Sequence, residues 1–112
     1  MIREFSIELT SNDTARIGDM LAPADKRPTL YPELKPGRKT FAFDQDTLIV
    51  MADGDFERFL WAAFDRVELR DGIVVLAKGA GLAFYLPVDK LQDLEIRRAI
   101  WDFVSDRVGL HG

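Results

Sequence analysis

The residues with the most chemical promise are five carboxylates in one short stretch. Asp53, Asp55 and Glu57 alternate, and Asp44 and Asp46 stand one turn earlier. Hard cations such as Ca²⁺ take several oxygens from a bent loop. Counted from Asp53, however, the twelfth position of an EF-hand loop holds Phe64 instead of Glu. Asp and Gly also favour tight turns on their own account. Turn chemistry is therefore the simpler reading, and no metal is expected.

Other motifs are thinner. Gly79-Ala80-Gly81 looks like a piece of a phosphate loop but lacks the following Lys-Ser/Thr and does not open a helix. A hairpin turn explains it. His111 is the only histidine, and there is no cysteine. Nucleophilic catalysis would then rest on Ser, Lys or a carboxylate without a paired base. Ser6, Ser11 and Ser105 fall in a strand, a helix cap and a helix, none in a nucleophile elbow. No catalytic residue and no cofactor is expected, and the chain does not read as an enzyme. Lys35, Arg38, Lys39, Arg58, Arg66, Arg70 and Lys78 concentrate at the start and middle of the chain's central region. Lys35, Arg38 and Lys39 form the candidate patch for an anionic ligand. The competing reading is a solvated surface balanced by nearby Asp and Glu.

The frame for these residues is one domain of 112 residues with 47% apolar and 30% charged side chains. A net charge of −4 argues against non-specific nucleic-acid binding, which needs a basic surface. Absence of cysteine fits a reducing cytoplasm. The first residues lack the apolar core of a signal peptide. No apolar run approaches the ~20 residues of a membrane span.

Residues 2–9 alternate with Phe5, Ile7 and Leu9 on one side, the period of a half-buried strand. A short helix over about 13–21 follows, with Ile17, Met20 and Leu21 on one side. Residues 22–28, bracketed by Pro23 and Pro28, form a linker. Thr29-Leu30-Tyr31 reads as a strand that Pro32 confines to an edge. Residues 29–87 are a meander of short strands. Its turns are Pro36-Gly37, Asp44-Gln45-Asp46, Asp53-Gly54, Asp71-Gly72 and Gly79-Ala80-Gly81, with a break at residues 62–65. Asp-Gly between apolar runs is a strong type I′ hairpin signal. Asp93 is the expected N-cap of a helix over about 94–107. Ile96, Ala99, Ile100, Phe103 and Val104 form its apolar face, and Gly109 is its C-cap. The fold class is α+β: a mostly antiparallel meander sheet of five to seven strands, or a small open barrel, closed by an amphipathic C-terminal helix. Trp61, Phe64, Ile100 and Trp101 are the expected helix–sheet docking residues.

From Tyr31 to Val108 these pieces resemble the YcxB-like family at its C-terminal pleckstrin-homology-like domain. The resemblance rests on Thr40-Phe41-Ala42-Phe43-Asp44, Leu48-Ile49-Val50, and Phe59-Leu60-Trp61 with Phe64 and Val67. Ile73-Val74-Val75-Leu76, Tyr85-Leu86-Pro87 and the helix from Leu94 complete it. Phe5 to Thr10 with Asp13 are similar to the family's opening strand and helix. Family members carry two membrane spans where this chain has residues 22–28. The resemblance implies a cytoplasmic domain, membrane-anchored in relatives, with no site residues to transfer. Membrane contact enters only through it. A non-enzymatic binding or scaffold module is the leading expectation, with a protein partner or self-association by strand addition at a sheet edge. The linker would permit exchange of the opening strand and helix between copies. A small-ligand or lipid-headgroup domain is the alternative.

Overall fold

Strand alternation sets the first element. In β1 (Glu4–Leu9), Phe5, Ile7 and Leu9 are buried while Glu4, Ser6 and Glu8 face out. Thr10 then caps α1 (Ser11–Leu21). Its hydroxyl accepts the Asp13 N–H at 3.1 Å, and its own N–H donates to the Asp13 carboxylate at 2.9 Å. That reciprocal pair satisfies two of the donors a helix start leaves free, so the helix begins ahead of Asp13. Ile17 and Leu21 are its buried stripe. A Cβ on Gly18 would sit 3.2 Å from Leu34 Cδ2, so the small residue allows α1 to approach that segment.

The computed structural model describes residues 4–21, 29–52, 54–79 and 81–111. The expected linker at residues 22–28 lies outside them, as do Asp53 and Ala80. Seven further strands follow: β2 (Thr29–Tyr31), β3 (Gly37–Phe43), β4 (Thr47–Ala52), β5 (Asp55–Leu60), β6 (Arg66–Arg70), β7 (Ile73–Lys78) and β8 (Leu82–Leu86). They build two four-stranded sheets, ordered β1-β3-β4-β5 and β2-β8-β7-β6. All pairings are antiparallel except β2 with β8. The protein is α+β, and its strands form two sheets instead of one continuous meander.

The division falls at a 3-10 turn, Trp61–Ala63, which overlaps the break expected at residues 62–65 and takes in Trp61 as well. Trp61 is fully buried. Its backbone N–H donates to Asp46 C=O at 3.0 Å and its indole N–H to Asp44 C=O at 2.9 Å. Those bonds hold the end of β5 against the β3–β4 turn. The next strand therefore starts a new sheet. The Asp71-Gly72 turn has φ of 50° and 80°, as a type I′ hairpin requires.

Asp93 caps α2 (Leu94–His111), accepting the N–H groups of Glu95 at 2.9 Å and Ile96 at 3.3 Å. Ile100, Val104 and Val108 are buried at four-residue spacing. Two expectations change here. Ala99 is exposed, because it lies on the opposite side from that stripe. Gly109 is not a C-cap: the helix runs on to His111, since Val108 extends the buried stripe by another turn. The inner core is aromatic. Phe43, Trp61 and Phe103 meet in one group, and Phe59, Phe64 and Phe84 in the next.

Candidate docking surface

Register decides which side chains share the outer face of the β1-β3-β4-β5 sheet. One cross-strand row is Glu4, Ala42, Ile49 and Arg58; the next is Ser6, Thr40, Met51 and Phe56. The Ser6 and Thr40 hydroxyls are 2.7 Å apart and hydrogen-bonded. Among the described residues no helix lies over this face, and every member of both rows is half-exposed or exposed. The edge strand β5 is the most open part. Phe56 is 67% exposed and Leu60 58%, both on the outer side. Beside Phe56, a hollow of about 370 Å³ is lined by Arg38, Thr40, Met51 and Asp55. Large apolar side chains held in solvent along a strand edge make this face a candidate interaction surface.

The sequence missed Phe56 and Leu60 as surface residues. A signal was available. Phe56, Phe59 and Leu60 occupy both parities of one strand, so they cannot all face the core.

Alternation also breaks up the expected anionic-ligand patch. Lys35 and Arg38 are exposed, but Lys39 is fully buried in the row Ile7, Lys39, Ala52 and Asp55. Neighbouring strand residues point to opposite faces, so Arg38 and Lys39 cannot form one surface.

The carboxylates separate in the same way. Asp44 Oδ1 accepts the N–H groups of Asp46 at 2.9 Å and Thr47 at 2.6 Å. The Thr47 side chain and those N–H groups, with Arg58 nearby, hold its carboxyl below the usual range. This is the carboxylate of a turn. Asp55 and Glu57 lie on the inner side of β5. They line a cleft of about 220 Å³ with Tyr31, Pro32, Glu33 and Lys35. Partial burial, then the charges of Glu57 and Asp55, push the Tyr31 phenol up. Among the described residues no three His, Cys, Asp or Glu are grouped to hold a metal ion. Gly79 lies in the β7–β8 turn, its N–H donating to the Asp65 carboxylate at 2.5 Å.

Two other places carry candidate chemistry. Trp61 and Phe64 are buried at the helix–sheet junction with Ile100, and Trp101 packs against the core half-buried, beside Leu69 of β6. It lines a separate apolar hollow of about 250 Å³ with Leu69, Val88, Leu94, Arg97 and Arg98. An ionic strut joins α1 to the β8–α2 connection: Lys90 to Asp13 at 2.7 Å and Arg16 to Asp89 at 2.9 Å. Arg97 extends it into α2, donating to the carbonyls of Leu91 and Asp89. Partial burial alone would raise the Asp13 carboxyl. The hydrogen bonds from Lys90 and Thr10 outweigh that and lower it to about 2.

No family model, curated protein or solved structure matches the chain. Among the described residues no helix is long and apolar enough to cross a membrane.

Proposed function

We propose that the chain is a non-enzymatic protein-binding or scaffold module that docks a partner polypeptide on the outer face of the β1-β3-β4-β5 sheet. The observation that carries this reading is the exposure of Phe56 and Leu60 on one face of edge strand β5, with Arg58 between them. Burying them on a partner is favourable by about 25 cal/mol per Å² of apolar surface removed from water. The module is placed with the YcxB-like type on the resemblance of its residues between Tyr31 and Val108 alone.

The test is site-specific photo-crosslinking in the native host. A photoreactive benzoyl-phenylalanine replaces Phe56 in one variant and the exposed Gln92 in another. The expected result is a polypeptide adduct from position 56 and none from position 92. Equal labelling at both, or none at either, overturns the reading.

A second reading has its own observation. The hollow beside Trp101 has apolar walls with Arg97 and Arg98 at its edge, which suits a small apolar molecule carrying an anionic group. Binding of a fatty carboxylate that quenches Trp101 fluorescence would support it. A flat titration would remove it.

A further inference from the structure

The outer face of the β1-β3-β4-β5 sheet carries a charge pattern with a partner implied in it. Its acidic side chains, Glu4 and Glu8, stand on β1 at one edge, where Arg38 on β3 is the cross-strand neighbour of Glu8 and leaves Glu4 as the acid with no basic residue in the adjoining β3 position. Arg58 stands on β5 at the opposite edge, in the same cross-strand row as Glu4. Between them lie Ala42 and Ile49, with Thr40 and Met51 in the next row. We propose that this face docks a second copy of itself, sheet on sheet, about a two-fold axis parallel to the strands.

The symmetry choice follows from the charges. A two-fold axis along the strands, between β3 and β4, lays β1 of one copy over β5 of the other. Glu4 then faces Arg58 of the second copy, and the reverse contact repeats at the other edge. Ser6 covers Phe56, Thr40 covers Met51 and Ala42 covers Ile49. Stacked sheets lie about 10 Å apart, a gap that Glu and Arg side chains span together. An axis across the strands instead lays β1 on β1 and β5 on β5, setting like charges against each other. Edge-to-edge pairing of β5 with itself is disfavoured for a related reason. A two-fold that keeps the same face outward opposes residues of equal parity. The central registers therefore place Arg58 on Arg58 or Glu57 on Glu57.

Four strands of about six residues make a face of roughly 400 Å² per copy. That is the lower end of interface size, so the dimer forms and dissociates with concentration.

This inference rests on the docking surface proposed above and names its occupant. Sedimentation equilibrium over a concentration series of the full chain tests it. The expected result is a reversible dimer. Arg58→Glu alone and Glu4→Arg alone each weaken it at least tenfold. The double variant, with the charges exchanged, returns to within about threefold of the original. Both positions are exposed, and matching thermal melts confirm that the variants are folded. A dimer that the exchange does not rescue overturns the proposal, as does a strict monomer up to millimolar concentration. If position 56 still crosslinks a different polypeptide in the host, the docking surface stands and only the second copy is lost. If it crosslinks nothing, both fall.

Discussion

The ring of Phe103 meets Trp61 edge-on, with centroids 6.1 Å apart and planes at 72°. Trp61 also touches Phe43 on β3, and it touches Phe64, which meets Phe84 on β8, so ring contacts run from α2 to both sheets. Phe103→Ala removes the helix's share of that group. The expected loss is about 2–3 kcal/mol, below the range for fully buried Phe because Phe103 is half-buried. Trp101→Ala, on the other side of the helix, costs less. Urea unfolding of both variants checks the order.

Phe56→Ser separates docking from folding. The side chain is 67% exposed, so stability stays within about 0.5 kcal/mol of the parent. Association measured by light scattering falls. A large drop in melting temperature would show that Phe56 belongs to the core.

Acid weakens the strut at Asp13. Its folded-state pKa of about 2 lies below the ordinary 3.8. Its contribution is therefore complete above about pH 5 and is lost as pH falls through 4 towards 2. With allowance for solvent screening this amounts to about 1–2 kcal/mol. Asp13→Asn should be less stable than the parent at pH 6, and the gap should close near pH 2. Denaturant unfolding at both pH values measures it.

Two glycines at similar backbone angles should respond differently to alanine. Gly54 and Gly72 have φ of 82° and 80°. Nothing lies within 4 Å of a Cβ at Gly54, so Gly54→Ala costs only the left-handed strain, about 1 kcal/mol. A Cβ at Gly72 would stand 2.7 Å from Asp89 Cβ. Gly72→Ala also strains the hydrogen bond from Asp89 N–H to Gly72 C=O, and its melting temperature should fall further.

The Tyr31 phenol should ionise above the ordinary value of 10. Glu57→Gln removes one of the charges that raise it, so the titration moves down part of the way. Ultraviolet difference titration against Tyr31→Phe isolates the signal.

Local signals carried far in this chain. Asp71-Gly72 and Asp93 do what their types require, because a turn or a cap needs only neighbouring residues. Lys39 was legible and overlooked. It shares parity with Phe41 and Phe43, which places it inside, but its charge suggested surface. The division into two sheets was not legible. It depends on Trp61 bonding across to the Asp44–Asp46 turn, a contact between distant residues. The make-up of the outer sheet face was hidden for the same reason: register alone brings Glu4 and Arg58 into one row.

The parallel strand β2 has a consequence for the order of folding. Thr29 donates its N–H to Gly81 C=O at 2.7 Å and pairs in register with Leu82, about half the chain away. Antiparallel neighbours such as β6 and β7 can zip from their shared turn, but β2 has no edge to join until β8 is in place. Such distant contacts form slowly. β2 is thus a late latch. Until it closes, Tyr31 is kept from Phe59 and Phe84, and the flank of β8 stays open to strands of other chains.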